Sequence, residues 1–425
     1  MIRRLTSSFA AAAVAIVALT ATAQRSTGHE RAAGQIAAGA FAYLPGSTLP
    51  VRVDGFSAPY ALALLGVGRL ADGGVYAIPD DARGGTAMVI AGNAHGLASR
   101  SLRIAASPPD GSSVVAVASY EDGIAYHEPG DFSLIGMLAT GGAPSDVAMD
   151  ARGRLFATDT QGSAVTLATL RPWSVSRVDD VPLGDDVAVD ATTDAAFVTN
   201  RDVRGSGALT RIAPSGKTVT VVTGQTAEGL AIDERRQIVY VANVNDATVA
   251  AVDARTMRVR RRIAAVDRVF SLALSPDGRR LYAVSNQSAD SPFAAPGSVV
   301  AIALDRKGTP VVARSAPLTF PVGIALDAPA HRLLVTDESA DEIDVLDDRT
   351  LRAQRPAVAT CHTPWKPTLD PVDRRLYVPC ARADRVDVLD ARTLARLPGA
   401  PFATGGYPLA VTVWHAPASA NRSSR

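Results

Sequence analysis

Only three of the 425 residues are lysine (Lys217, Lys307 and Lys366), two are cysteine, and 5% are aromatic. Lys+Arg (43) and Asp+Glu (42) nearly cancel. The surface as a whole therefore has no field to attract nucleic acid or an anionic membrane. Scarce aromatics argue against stacking on bases or sugars. Beyond the first twenty residues no apolar run approaches the ~18–20 residues of a membrane span. No G-x-S-x-G, H-E-x-x-H or P-loop pattern occurs, so the common hydrolase, zinc-protease and nucleotide signatures are missing.

The N-terminus is a targeting signal in form. "MIRR" is a short basic segment, Phe9 to Leu19 ("FAAAAVAIVAL") is an apolar stretch, and Ala21-Thr22-Ala23 is a small-x-small cleavage pattern. The residues after Arg3-Arg4 fit a twin-arginine signal poorly. Residues 1–23 are expected to be a signal peptide of an exported protein, periplasmic or extracellular, and 24–48, rich in Ala and Gly, a linker.

With 47% hydrophobic residues the chain has ample material for a core. One phrase recurs: "IVYVANVNDATVAAVD" from Ile238, "RLLVTDESADEIDVLD" from Arg332 and "RLYVPCARADRVDVLD" from Arg375. Aligned on it, equivalent large residues fall at Val115, Phe156, Phe197, Tyr240, Tyr282, Leu334 and Tyr377, at intervals of 41, 41, 43, 42, 52 and 43. Each unit holds four short runs of period 2 divided by turn residues, the pattern of a four-stranded meander. One such sheet would expose an apolar face. Stacking the sheets around an axis buries both faces, and a period near 42 matches propeller blades. The fold class is all-β: a seven-bladed β-propeller over 108–414. "TGGYPLAVTVW" (Thr404 to Trp414) matches the opening of a blade, "TGGAPSDVAMD" (Thr140 to Asp150), with no blade after it. It is expected to complete the first blade beside the strands from Val114 to Leu138. The longest interval comes from "NQSADSPFAAPGS" in the fifth unit, read as a surface loop. Residues 415–425 read as a disordered tail.

The repeats resemble the YVTN, or YncE-like, propeller family. Tyr240-Val241-Ala242-Asn243 and Phe197-Val198-Thr199-Asn200 stand at the motif, and Val386-Asp387-Val388-Leu389-Asp390 at the following V-x-V-I-D. Thr158-Asp159 and Thr336-Asp337 resemble NHL-type blades, while a WD signature is absent. The resemblance implies the same fold. Single-stranded nucleic-acid binding occurs in the family, but neutral charge and few aromatics disfavour it here.

Residues 49–107 have strand candidates outside the repeat, resembling a small bacterial immunoglobulin-like β-sandwich. In the alternative reading, Leu102 to Ala106 supply the first blade's inner strand.

Loops before each inner strand and after each second strand open on one face of a propeller, around the channel mouth. The second-strand ends include Asp159, Asn200, Asn243, Asp337 and Cys380. The entry loops offer Asp146, Asp185, Asp186, Glu228, Trp365 and Lys366, with His362 in the loop of the last blade. Such a ring of Asp, Asn and Glu oxygens suits Ca²⁺, as calcium-dependent propeller lactonases use. The bland alternative is that these residues cap turns. A cofactor-free lactonase would need a base, for which His362 is the best-placed histidine. Cys361 and Cys380 are read as a disulfide, with two free thiols or a metal site with His362 as alternatives. The leading function is a binding scaffold for a protein or small molecule at the mouth, with no resident cofactor, and the alternative a lactonase-type hydrolase.

Overall fold

The computed structural model describes residues 35–37, 41–54, 60–71, 74–93, 96–201, 205–264, 268–286, 296–306 and 310–417. The expected signal peptide, most of the fifth unit's loop (287–295) and the end of the expected tail (418–425) lie outside them. Two compact units emerge, one of Met1–Ser107 with Gly136–Gly141, the other of Pro108–Ile135 with Gly142–Arg425.

The larger unit is a β-propeller in its repeating sheets. Six four-stranded sheets follow in sequence order, spanning 147–179, 184–225, 227–264, 269–314, 321–359 and 368–403. A further sheet places Val114–Ser119 between Gly123–His127 and the C-terminal strand Pro408–Trp414, with Val411 opposite Val117. The only helical elements among the described residues are two three-residue 3-10 turns, and no described helix is long and apolar enough to cross a membrane.

Alternation explains the packing. In Ile238–Asn243, Val239 and Val241 pack with Phe197 and Leu209 of the sheet before, while Tyr240 and Ala242 pack with Leu281 and Val300 of the sheet after. The same division recurs between the second and third, fifth and sixth, and sixth and seventh sheets. Second strands are consequently buried on both faces, as Val114–Ser119 and Arg332–Asp337 are throughout.

Turns repeat as well. Asp253-Ala-Arg-Thr-Met257, Asp347-Asp-Arg-Thr-Leu351 and Asp390-Ala-Arg-Thr-Leu394 join third to fourth strands. In each, the aspartate Oδ1 accepts the N–H groups two and three residues on, at 2.7–3.0 Å. The fifth residue takes a positive φ of 54° to 60° and turns its apolar side chain into the core. The aspartates' carboxyls are held below their ordinary value first by the Thr N–H bond.

The N-terminal unit is also β. Gly85–Asn93 pairs with Gly96–Ile104 on one side and Ala61–Gly66 on the other. Thr48–Pro50, Val75–Ala77 and Arg69–Ala71 make a three-stranded sheet. Three expectations are corrected here. Residues 41–48 are not linker: Ala42–Tyr43 pairs in parallel with Arg103 and Ile104, and Leu44 and Ser47 are fully buried. Apolar Tyr43 and Leu44, inside an Ala/Gly-rich stretch, are what tie it down. Leu102 to Ile104 pair with Gly85–Ala87, so the inner neighbour of Val114–Ser119 is the C-terminal strand. Nor is the start of the tail loose, since His415 Nε2 bonds Asp370 at 2.9 Å and Ala416 N–H donates to Ser113 Oγ at 3.0 Å.

Val411→Asp, which buries a charge at a 3% exposed site, is expected to cost more than about 3 kcal/mol by denaturant unfolding. The same change at exposed Val372 should stay within about 0.5 kcal/mol. Equal effects would show that the C-terminal strand contributes nothing to the core.

Candidate functional site

Several inner strands carry a bulge where they enter the sheet. Register shifts between Gly184 and Val187, Ala227 and Leu230, Val269 and Ser271, and Pro321 and Gly323. A bulge frees residues from the ladder and re-aims their side chains. The freed residues include Asp185, Asp186, Glu228 and Phe270. Hydroxyls hold this backbone in place. Thr158 and Ser145 donate to the Asp185 carbonyl at 3.0 and 2.7 Å, Asp186 N–H donates to Thr199 at 3.0 Å, and Thr336 donates to the Trp365 carbonyl at 2.7 Å.

Side chains from non-adjacent sheets meet here. Lys366 of the seventh sheet forms an ion pair with Asp186 of the third, both side chains being largely shielded at 16% and 12% exposure. Trp365 meets Phe270 of the fifth sheet edge to face, with centroids 6.1 Å apart. Arg201 bonds Glu228 at 3.2 Å. Asp146 accepts the N–H groups of Val147 and Val187, both at 2.9 Å, and so ties the second sheet to the third. Burial pushes the Asp146 carboxyl up. Lys366 and those two N–H bonds pull it back, and Asp185 adds to the rise. Lys366 and Trp365 thus reach the third and fifth sheets, with carboxylates arranged about the cation.

The second-strand ends do not join this group. Asp159 Oδ1 accepts from Ala143, Gln161 and Gly162. Asp337 accepts from Thr319, Phe320 and Ala340. Asn200 accepts from Thr210, and Asn243 exchanges bonds with Thr223 and Thr248. These are turn and strand-end ties, not a ring of free oxygens suited to Ca²⁺. His362 is exposed and bonds Asp341 through Nδ1 at 3.0 Å, and no contact draws it to Lys366. Among the described residues, the acid and histidine oxygens and nitrogens spaced to hold a metal belong to Asp370, Asp373 and His415, at the first hairpin of the last sheet.

Cys361 and Cys380 form a disulfide with Cα atoms 5.7 Å apart. Pro364 bridges Cys380 in the ladder, so the chain from Cys361 folds back to reach it. Closing so short a loop stabilises by roughly 3 kcal/mol in the chain-entropy model. Sequence reasoning missed Arg201 and Phe270. Phe270 occupies the bulge position that Glu228 holds one blade earlier, so carrying the alignment one unit further would have found it.

One perturbed carboxylate lies elsewhere. Burial, then the charges of Glu342 and Asp337, raise Asp344 from 3.8 to about 6. Its buried Oδ2 has no hydrogen-bond partner. Asp387, at the same strand position in the next blade, is matched by Arg396 through two bonds of 2.6 Å.

No family model and no curated protein matches the sequence. Solved structures do match in fold. A functionally unknown protein of Desulfotomaculum acetoxidans aligns with TM-score 0.59 at 13% identity, covering 72% of this chain and 100% of its own. The periplasmic gluconolactonase of Pseudomonas aeruginosa aligns with TM-score 0.57 at 16% identity, covering 72% and 99%. Virginiamycin B lyase of Staphylococcus aureus aligns with TM-score 0.52 at 10% identity, covering 64% and 92%. At such identities the likeness is one of fold, and the β-propeller is what these proteins share with this chain.

Lys366→Met is expected to destabilise by about 3–5 kcal/mol, because it leaves Asp186 buried without its cation. The double change Asp186→Asn/Lys366→Met should recover about 2 kcal/mol of that loss in a denaturant double-mutant cycle. Additive losses would remove the ion pair from the account of the mouth. For Asp344 the folded state holds the proton more tightly than the unfolded chain. Its stabilising contribution is full below pH ~4 and is lost as pH rises through about 6. Asp344→Asn should match the wild type at pH 4 and exceed it by about 1–2 kcal/mol at pH 8, allowing for partial exposure. Stability curves that stay parallel across this range would refute the assignment.

Proposed function

We propose that the protein is an exported propeller whose mouth face binds a small polar ligand, with no chemistry required of it. In this reading the seven sheets close as one seven-bladed ring, the C-terminal strand completing the first blade as in YVTN-type proteins. The N-terminal unit is an immunoglobulin-like companion. The observation that carries the binding reading is the Lys366–Asp186 pair across the mouth. Most polar groups there are engaged with one another, and Trp365 beside Phe270 offers an apolar platform. A hydroxyl-rich or acidic ligand would exchange with the ion pair and rest on the indole.

A lactone hydrolase is the second reading. Asp146, raised by burial and bordered by Lys366, is the group such a reaction would use to move a proton. One fold neighbour is named a gluconolactonase, and likeness at that identity is support for the fold alone.

A thermal-shift series with aldonic acids and their lactones separates the two. Binding predicts a rise in Tm of about 3–5 °C at a hundredfold excess over Kd, absent in Asp186→Asn/Lys366→Met. No shift with any member sinks the binding reading. Lactone hydrolysis above the buffer rate that disappears in Asp146→Asn would move the conclusion to the hydrolase.

A further inference from the structure

A cavity lies at the other end of the strands from the entry loops. It is framed by the first hairpin turns of the fourth and fifth sheets, has a volume of ≈ 510 Å³, and is lined by Arg236, Arg260, Arg261 and Arg279 with Tyr240 and Asp305. Four guanidinium groups face one lining carboxylate.

Three of these arginines are fixed by one edge. Arg236 Nη1 bonds Asp233 at 2.7 Å and the carbonyls of Asp277 and Gly278 at 3.2 and 3.1 Å, while Nε and Nη2 have no hydrogen-bond partner among the described residues. Arg260 holds Asp253 through Nε and Nη2, leaving Nη1. Arg261 donates Nη2 to the Leu304 carbonyl at 2.7 Å. No hydrogen bond or ion pair engages the Arg279 guanidinium among the described residues, where its backbone N–H donates to Asp277 and its carbonyl accepts from Leu304. Side chains anchored this way lose little freedom when a ligand arrives, and the guanidinium fork matches phosphate oxygens.

Tyr240 adds a neutral donor. The residue is 2% exposed, yet its hydroxyl has no hydrogen-bond partner among the described residues. Tyr282, at the same position one blade on, donates to the Asp348 carbonyl at 2.8 Å. Burial and Asp233 raise the Tyr240 phenol, while Arg261, Arg236 and Arg260 draw it down, which sets the hydroxyl in their field. The hydroxyl lines the cavity, where an acceptor of negative charge can take its bond in place of solvent. The cavity is roomier than a bare phosphate needs, so an organic group can follow the anion in.

We propose that this cavity binds the phosphate group of a small phosphomonoester, with Arg236, Arg261 and Arg279 as charged donors and the Tyr240 hydroxyl as the neutral one. The site is separate from the mouth, and Asp186→Asn/Lys366→Met should leave it unchanged.

Calorimetric titration of the full chain with sn-glycerol 3-phosphate, inorganic phosphate and acetate, at matched ionic strength, tests it. Saturable binding is expected for both phosphates, tighter for the ester, and not for acetate. Arg279→Ala, at an exposed side chain, and Tyr240→Phe, which keeps the ring, should each weaken ester binding by about tenfold, with Tm reporting that both remain folded. Absence of saturable heat, acetate binding as tightly, or affinities unmoved by either substitution would overturn the proposal.

Discussion

Each sheet of the larger unit has two apolar faces, and water can be kept from both only by a sheet on either side. This follows from strands in which both alternating sets are hydrophobic. Val239 and Val241 face backward along the chain's course while Tyr240 and Ala242 face forward. A buried valine or leucine side chain is worth about 1.5–3 kcal/mol. An unpaired sheet would forfeit several of these at once, and would also leave an open strand edge. The requirement explains why Pro408–Trp414, distant in sequence, lies against Val114–Ser119.

The same requirement sorts the polar residues. With the faces closed, polar side chains gather at strand ends and bulges, with mid-strand exceptions such as Asp344 and Asp387. At the second-strand ends they tie down backbone, as Asp159 and Asp337 do. At bulges the ladder is already broken, so the side chain is released from that duty. Asp186, Glu228 and Phe270 therefore meet Lys366, Arg201 and Trp365 while Asn200 and Asn243 stay buried. Function on such a scaffold gathers where pairing fails, because only there is a side chain free of the sheet.

This sorting also marks what could be read from residues alone. The fold was legible in spacing near 42 and period 2, since packing imposes both on every unit. Asp146, Asp186 and Lys366 were legible as entry-loop residues, because loops align once strands do. The division of Asp186 from Asp159 and Asp337 was not, for it depends on a one-residue bulge that leaves no mark in composition. Residues 41–48 misled because Ala and Gly content described the segment, while Tyr43 and Leu44 decided it. The D-x-R-T turn stood in plain view at Asp253, Asp347 and Asp390, and its meaning needed only the Asx geometry of capped turns.

The arginines between the fourth and fifth sheets show how one framework yields different surfaces. The turn positions at Asp233 and Asp253 are shared features of the repeat: Asp150 and Asp327, at the place of Asp233, grip arginines too, whereas Asp347 and Asp390, at the place of Asp253, cap turns without one. Between the fourth and fifth sheets both positions grip an arginine at once, and so orient two cations that an open surface would leave mobile. The tyrosine that fills the same core position in the next blade finds a carbonyl, whereas Tyr240 does not. A repeat obliges every blade to share its core, but leaves each gap between blades to its own side chains. Chemical identity in such a repeat is therefore carried by departures from it, and in this chain the departures are the bulged entry loops and the arginine-lined gap.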